Sequence, residues 1–311
     1  TVLTARNTPL LALALAVSPA LHRAPAPDRP NSTNQNRGPI QTGLDVLVAE
    51  EFARLRDRKV GLITNHTAKT ASGRGIVDVL RAATGFELKA LFSPEHGFTG
   101  SLDQSEIADS EHRSGLKIYS LYGKTRRPTA AMLEGIDTLV FDIQDIGCRF
   151  YTYVSTMGAA MEAAAENGLR FVVLDRPNPL GGRAVAGPVR DHNKQSFTAF
   201  AKIPIRHGMT IGELAQWIRD EQELALDLDV VKMIGWQRDD WYEATRLYWT
   251  SPSPNMRSLP QATLSPGVGL LEFTNLSVGR GTDAPFEWIG APWLDGQALA
   301  HRVLQDETLR A

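Results

Sequence analysis

The sequence has a single cysteine, no excess of basic residues and no long apolar run. Because Cys148 is alone among 311 residues, an internal disulfide framework and a metal site built from several cysteines are excluded. The net charge of −2 comes without a basic stripe, so we expect no nucleic-acid partner. The apolar run at residues 9–17 is too short to span a bilayer, and we expect no integral membrane segment in the mature chain.

Several cofactor motifs are also missing. Gly73 and Gly75 come late after a predicted strand, and Asp78 stands where a dinucleotide-binding loop needs its third glycine. The chain has neither a Walker phosphate loop nor a Gly-x-Ser-x-Gly nucleophile turn. The seven histidines are scattered, although His66 and His96 each follow a predicted strand and could meet, which leaves a metal site open as an alternative. We expect no cofactor.

The first residues are typical of an export signal. Arg6 precedes the apolar run, and Ser18 to Ala20 provide small residues for cleavage, so we predict a signal peptide over residues 1–23. A buried N-terminal helix is the alternative. Residues 24–40 are rich in Pro, Asn, Ser and Arg, which predicts a disordered linker. We expect an exported protein, periplasmic or extracellular, and the absence of a cysteine after the apolar run disfavours a lipoprotein.

Strands and helices alternate over residues 41–181. Predicted strands lie at residues 60–65, 88–92, 116–121, 138–143 and 169–174, and predicted helices at 44–55, 76–83, 128–135 and 155–167. This alternation predicts an α/β fold, a Rossmann-like, mostly parallel sheet with helices on both faces. Residues 182–311 are richer in glycine and proline, with a helix at 211–222 and a strand near 228–233. They predict a second, smaller α+β domain, truncated at its C-terminus.

Polar side chains follow four of the predicted strands. They are Asn65, then Glu95 with His96, then Gln144 and Asp145 with Arg149, and finally Asp175 and Arg176 with Asn178. Because ligands of parallel α/β sheets bind beyond the carboxyl ends of the strands, we predict one binding site built from these residues.

Glu95 is the candidate proton donor. Pro94 and Gly97 break the strand into a stiff turn, and Phe92 and Phe98 flank the acid. Desolvation by these neighbours would raise the pKa of Glu95 and suit it to protonate a glycosidic oxygen, with His96 orienting it. Taken alone, an acid on an ordinary turn is the alternative. Candidates for a second catalytic group are Asp142, Asp145, Asp175, Asp283 and Glu287.

Ten short motifs occur in a fixed order along the chain. They are Ser93–Phe98, Phe141–Gly147, Arg149–Tyr153, Leu174–Pro179, Arg206–Thr210, Pro252–Met256, Thr274–Ser277, Gly279–Thr282, Pro285–Glu287 and Gly290–Trp293. With them the chain resembles the exo-β-N-acetylmuramidase family of the NamZ type, long known only as a bacterial domain of unknown function. The resemblance covers about residues 44–294 and places the family's proposed catalytic glutamate on Glu95.

The resemblance implies a secreted bacterial glycoside hydrolase that removes terminal N-acetylmuramic acid from peptidoglycan fragments in cell-wall recycling. Its partners would be muropeptides or disaccharides derived from peptidoglycan. An arginine among Arg149, Arg176 and Arg280 would pair with the lactyl carboxylate of the sugar. The sugar's acetamido group could itself attack the anomeric carbon. The alternative from another class is a non-catalytic cell-wall sugar-binding protein.

The resemblance also adds residues to the predicted site. Gln144, Asn178 and Asn255 would read hydroxyls or the acetamide, Tyr151 or Tyr153 would form a platform, and His207 belongs to the motif at residues 206–210. The predicted set is therefore Glu95 and His96 as catalytic residues, with Asn65, Gln144, Asp145, Arg149, Tyr151, Tyr153, Asp175, Arg176, Asn178, His207, Asn255 and Arg280 binding substrate.

Overall fold

The computed structural model of the chain describes residues 38–306. The strands are β1 (Lys59–Thr64), β2 (Glu87–Ser93), β3 (Ser110–Glu111), β4 (Lys117–Ser120), β5 (Thr138–Asp142), β6 (Arg170–Leu174) and β7 (Leu228–Val231). The helices are α1 (Gly43–Ala49), α2 (Ile76–Ala82), α3 (Tyr153–Glu166), α4 (Ile211–Glu221), α5 (Leu259–Val268) and α6 (Gly296–Gln305). The predicted signal peptide and residues 24–37 of the predicted linker lie outside the described residues.

The seven strands form one sheet in the order β3-β4-β2-β1-β5-β6-β7. All neighbouring pairs are parallel except the short antiparallel pair of β3 and β4. From β1 the chain moves outward to β2 and β4, then crosses back to β5 on the other side of β1. The carboxyl ends of six strands therefore share one edge, and the strand order reverses between β1 and β5, where such sheets bind ligands. The predicted α/β fold is confirmed.

Both faces of the sheet are buried under helices. Consecutive strand residues point to opposite faces, so Ile63 and Phe141 join the core under α3 and α4, whereas Leu62 and Val140 join the core under α1 and α2. Each of these four side chains has no exposed surface. A strand that is covered on both sides has to be apolar along its whole length, which explains why the runs at β1 and β5 show no alternation.

Two predicted helices differ from the structure. The helix predicted at 44–55 ends at Ala49, because Glu51 and Phe52 take left-handed backbone angles (φ 51° and 56°) that no α-helix continues through. The helix predicted at 128–135 is wrong, since the segment folds as consecutive turns and ends at Gly135 with φ 73°. Short local hydrogen bonds there satisfy the backbone without a regular helix.

The sheet continues past residue 181. β7 pairs with β6, and α4 packs in the same core as α3, although both come after the predicted domain boundary. A separate apolar cluster contains Ile146, Ile205, Met256, Val278 and Phe286, and it packs this later part of the chain beside the sheet. The boundary at residue 181 itself stays a prediction. Within residues 38–306, no helix is both long and apolar enough to cross a membrane.

Candidate active site

Parallel pairing of β2 and β4 sets the position of Glu95. Ser93 at the end of β2 is in register with Ser120 at the end of β4, and the Leu121 N–H donates to the Ser93 carbonyl over 2.8 Å. Adjacent strands lie about 4.8 Å apart, so residues two positions beyond this pair, Glu95 and Tyr122, leave the sheet side by side. Both side chains are half-buried. The edge of the sheet therefore presents a carboxyl group and a phenol together.

Glu95 is held by groups from two other segments. The Thr152 hydroxyl, at the N-cap of α3, donates to Glu95 Oε2 instead of capping its own helix. Burial raises the pKa of the Tyr122 hydroxyl, and its hydrogen bond and charge interaction with Glu95 raise it further, while Arg126 lowers it. Sequence reasoning missed both Thr152 and Tyr122. Tyr122 follows the predicted strand at 116–121, so the strand-end rule that found Glu95 would also have found it.

His96 is oriented by the turn and not by Glu95. It takes a left-handed backbone conformation (φ 68°), and its Nδ1 lies 2.8 Å from the Leu102 carbonyl oxygen. Within residues 38–306 the structure records no hydrogen bond between His96 and Glu95. The predicted role of His96 as the partner of the acid stays a prediction, and its geometry supports a contribution to the shape of the turn.

His66 is built into a second turn next to the first. Its Nε2 lies 2.7 Å from the Ser251 carbonyl, and the ring packs so closely on Gly100 that a β-carbon there would sit 1.9 Å from it. Burial lowers the pKa of His66. Within the described part of the chain no group of three metal-ligating side chains comes together. His66 instead connects its turn to a loop of the later part of the chain, through the contact of its Nε2 with the Ser251 carbonyl.

That later part reaches the neighbourhood of Glu95. The Tyr153 hydroxyl, one residue beyond Thr152, donates to the Pro252 carbonyl over 2.5 Å. The charge of Glu95 also acts on Arg280, whose guanidinium pairs with Glu272 and lies 5.1 Å from the Phe286 ring centroid. Loops of residues 250–286 therefore come close to the edge of the sheet that carries Glu95.

The remaining predicted tyrosines and Asn255 are largely enclosed. Tyr153 is 1% exposed and its ring makes an edge contact with Tyr151, with centroids 4.8 Å apart. Burial raises the pKa of both phenols. The Tyr153 ring has no open face on which a sugar could stack, so a platform at Tyr153 gains no support from the structure. Tyr151 is half-buried, and the predicted platform there stays a prediction. Asn255 is 8% exposed in the Pro252–Met256 loop.

Asp145 and His207 form a buried pair. His207 Nδ1 accepts the Met209 N–H, which places the imidazole proton on Nε2, 3.4 Å from Asp145 Oδ2. The same carboxylate oxygen accepts the Gly147 N–H over 2.7 Å. Because both residues are at least 95% buried, the predicted contacts of Asp145 and His207 with substrate are not supported. Asp145 fixes the loop after β5 through the Gly147 N–H, while His207 Nε2 has no hydrogen-bond partner within residues 38–306.

Three further predicted binding residues form side-chain hydrogen bonds within the protein. Arg149 donates to the carbonyls of Pro188 and Ile203, at 2.8 and 2.7 Å. Asn178 donates to the Met209 carbonyl and accepts the Leu180 N–H, both over 2.9 Å. Asn65 accepts the Thr67 N–H and hydroxyl, at 3.0 and 2.6 Å. These side chains satisfy loop backbone next to the sheet, and their predicted contacts with sugar stay predictions.

Arg176 and Gln144 line a cavity apart from Glu95. Arg176 makes a two-pronged ion pair with Asp142, while Gln144 donates to the carbonyls of Asp145 and Pro177. The cavity has a volume of about 150 Å³ and is lined by Thr67, Lys69, Thr70, Ala71, Gly73, Gln144, Arg176, Tyr242, Leu247, Tyr248 and Thr250. Glu95 is not among these residues, so the structure does not bring all predicted site residues into one hollow.

Asp175 caps helix α4. Its Oδ1 accepts the N–H groups of Gly212 and Arg176, and its Oδ2 accepts the Thr210 hydroxyl. Thr210 and Glu213 complete a capping box at the same helix end. Burial raises the pKa of Asp175 to about 6, although these hydrogen bonds act to lower it. Both carboxylate oxygens of Asp175 accept hydrogen bonds within the protein, so its predicted role in substrate binding gains no support from the structure.

This raised pKa predicts a pH dependence of stability. A folded-state pKa of about 6, above the ordinary 3.8, means that the folded protein binds the proton more tightly than the unfolded chain. The contribution of Asp175 to stability is complete below about pH 4 and is lost as the pH rises to about 6, a loss on the order of 3 kcal/mol. Urea titrations of wild type and Asp175→Asn should show their difference in unfolding free energy changing over this window. A difference independent of pH would contradict the assignment.

Comparison with known proteins identifies the family. The family model described as exo-beta-N-acetylmuramidase NamZ, N-terminal, matches residues 60–260, and the model of the C-terminal part of the same proteins matches residues 263–310. The chain belongs to the NamZ family of exo-β-N-acetylmuramidases. A relative from Bacillus subtilis (strain 168), described as peptidoglycan beta-N-acetylmuramidase NamZ, is 45% identical over 276 residues, which cover 88% of this chain. The chain spans 66% of the length of that relative.

Two solved structures share the fold of this NamZ family member. Both are described as DUF1343 family proteins from Bacteroides fragilis NCTC 9343. One is 44% identical with a TM-score of 0.81, covering 86% of this chain and 70% of its own. The other is 34% identical with a TM-score of 0.71, covering 83% of this chain and 69% of its own. The resemblance stated from the ten motifs is confirmed at the level of family and fold.

Proposed function

We propose that the chain is an exo-acting glycoside hydrolase that releases terminal N-acetylmuramic acid from peptidoglycan fragments. Membership of the NamZ family supports the reaction class, and the Bacillus subtilis relative is described as acting on peptidoglycan. The observation that carries the proposal for this chain is the placement of Glu95. It is a half-exposed carboxyl group, fixed by Thr152 and flanked by Tyr122, beside loops from a distant part of the sequence.

Glu95 acts in this proposal as general acid. It protonates the glycosidic oxygen as the bond to the anomeric carbon breaks, and the carboxylate that remains accepts the Thr152 hydroxyl. Of the candidates for a second carboxylate, Asp142 pairs with Arg176, Asp145 with His207, and Asp175 caps α4. Glu287 accepts the Ser258 hydroxyl over 3.3 Å and Asp283 is exposed, so these two remain candidates from the protein. The engagement of the other three supports the acetamido group of the substrate as the internal nucleophile. NMR detection of the first product anomer tests this step, and an inverted product would contradict it.

A turnover experiment separates the enzyme from the rival function. The chain is incubated with a disaccharide of N-acetylmuramic acid β-linked to N-acetylglucosamine, and products are followed by mass spectrometry. The enzyme releases many equivalents of both sugars per protein molecule. A non-catalytic sugar-binding protein gives saturable binding and no products, and that result would refute the proposal. The proposed location, periplasmic or extracellular, rests on the apolar run at residues 9–17.

The hydrogen bond from Thr152 predicts a measurable effect on rate. Thr152→Val keeps the side-chain shape but removes the donor to the Glu95 carboxylate, so we expect kcat to fall about tenfold, the low end for a hydrogen bond to a charged group. Thr152→Ser restores the donor and should keep most of the activity. The matched control is Thr156→Val, one turn along α3, where the buried hydroxyl has no partner within residues 38–306. Equal activity of Thr152→Val and wild type would remove Thr152 from the mechanism.

A further inference from the structure

Arg126 is held between two aromatic rings close to Glu95. Its guanidinium carbon lies 4.3 Å from the ring centroid of Tyr122 and 4.3 Å from that of Phe197. The two rings come from separate loops, and their centroids are 5.9 Å apart. The two ring contacts orient the guanidinium, and Arg126 also acts on the Tyr122 hydroxyl through a side-chain hydrogen bond, so the N–H groups that point away from Tyr122 are the ones left to bind acceptors. Arg126 is exposed, so these N–H groups are open to a ligand.

Arg126 differs from the other arginines of the site in its charge balance. Arg176 pairs with Asp142 and Arg280 with Glu272, while Arg149 donates to two carbonyls. Even the neighbouring Arg127 pairs with Glu162 and Glu166 of α3. In the part of the chain that the structure describes, Arg126 makes no ion pair with a carboxylate. An oriented, uncompensated guanidinium is well suited to bind an anionic ligand.

Tyr122 connects Arg126 to the proposed reaction centre. The register of β2 and β4 places Tyr122 beside Glu95, and one face of the same ring carries Arg126. The phenol responds to both charges, since Glu95 raises and Arg126 lowers its pKa in addition to the larger effect of burial. A sugar whose glycosidic oxygen reaches Glu95 therefore has a cation within reach of its ring substituents.

We propose that Arg126 binds the lactyl carboxylate of N-acetylmuramic acid and thereby sets the specificity of the site for an acidic amino sugar. The inference rests on the proposed function and names the residue that reads the substrate's charge. N-acetylmuramic acid differs from N-acetylglucosamine by a lactyl ether that ends in a carboxylate. A planar guanidinium held on aromatic rings binds a carboxylate through two parallel N–H···O bonds. Arg126 takes the role that the sequence assigned to Arg149, Arg176 or Arg280.

The test compares two substrates that differ only in this charge. They are the 4-nitrophenyl glycoside of N-acetyl-β-muramic acid as the free acid and as its lactyl methyl ester. Wild type should prefer the acid by roughly 30-fold in kcat/KM, the scale of a charge-assisted hydrogen-bond pair. Arg126→Gln should lower kcat/KM for the acid by roughly the same factor and leave the ester within about twofold. Most of the change should be in KM, because the carboxylate is remote from the bond that breaks.

Two matched variants complete the experiment. Arg127→Gln, one position along the chain and paired with α3, should keep the wild-type preference for the acid. Arg126→Lys keeps the positive charge but loses the paired N–H donors of the guanidinium, so it should recover only part of the wild-type preference for the acid. Equal losses on acid and ester in Arg126→Gln would reduce Arg126 to a structural support of Tyr122. Loss of the preference in Arg280→Gln but not in Arg126→Gln would assign the carboxylate to Arg280. Either result overturns the proposal.

A binding measurement keeps the inference independent of turnover. Calorimetric titration with free N-acetylmuramic acid and its lactyl methyl ester should give a wild-type preference for the acid that Arg126→Gln removes. A protein that binds the acid through Arg126 but releases no product would contradict the proposed hydrolase and support the assignment of Arg126. A protein that binds and cleaves acid and ester equally well would support the proposed hydrolase and contradict the assignment of Arg126.

Discussion

Glu95→Gln is expected to lower the rate of disaccharide hydrolysis about a thousandfold without changing the fold. Glutamine has the same shape, and its carbonyl oxygen can still accept the Thr152 hydroxyl, but it has no proton to give the leaving oxygen. General acids contribute about 10²–10⁴ to the rate of such reactions. The measurement is kcat/KM by product release, with thermal unfolding to show that Tm stays within about 2 °C of wild type.

The matched control for this variant is Glu87→Gln. Glu87 begins the same strand that Glu95 follows, at the opposite edge of the sheet, where it pairs with Lys89. Its substitution should leave kcat/KM within about twofold of wild type, as is usual for exposed ion pairs. If Glu95→Gln hydrolysed the disaccharide as fast as this control, the proton donor would have to be another residue.

Arg176→Met is expected to destabilise the fold by about 3–5 kcal/mol. Asp142 at the end of β5 has no exposed surface, and Arg176 is 4% exposed. Removal of the guanidinium leaves the carboxylate buried without its counter-charge, and the Lys69 carbonyl also loses its donor at 3.0 Å. Equilibrium urea unfolding measures the change, and Tm should fall by about 6 °C or more.

Two comparisons show whether burial causes this loss. Arg113→Met breaks an exposed pair with Asp78 and should cost less than about 1 kcal/mol. The double variant Asp142→Leu with Arg176→Met removes both charges and should recover much of the stability lost by Arg176→Met alone. A single Arg176→Met variant as stable as Arg113→Met would show that the pair does not stabilise the native state.

The fold was predictable because its signals are local. A buried parallel strand has to be apolar throughout, as β1 and β5 are, and such strands separated by helices permit few topologies. Where the prediction failed, single backbone angles decided the outcome. Glu51 and Phe52 enter left-handed conformations that end α1, and no hydrophobic pattern reports such angles.

The site was harder to predict because a polar residue at a strand end has two possible uses. Asp175 and Glu95 both follow apolar strands, yet Asp175 caps α4 while Glu95 faces the loops of residues 250–286. The difference depends on Thr210 and Gly212, which lie far along the chain from Asp175. Sequence position therefore finds the edge of the sheet but does not separate side chains that support backbone from those that face a ligand.

The arginines show the same limit. Arg149 and Arg176 belong to the motifs that identify the family, but their partners are carbonyls and a buried carboxylate inside the fold. Arg126 lies outside those motifs, and the two rings that hold it come from segments 75 residues apart, at 122 and 197. Only the folded structure brings these rings together, so no spacing rule could have selected Arg126.

The dependence of the Glu95→Gln defect on the leaving group tests the central claim most directly. Glycosides of N-acetylmuramic acid with 4-nitrophenol and with the more acidic 2,4-dinitrophenol need different amounts of proton transfer at the departing oxygen. If Glu95 is the general acid, Glu95→Gln loses about a thousandfold on the disaccharide, less on the 4-nitrophenyl glycoside and under about tenfold on the 2,4-dinitrophenyl glycoside. The same loss on all three substrates would contradict proton donation by Glu95.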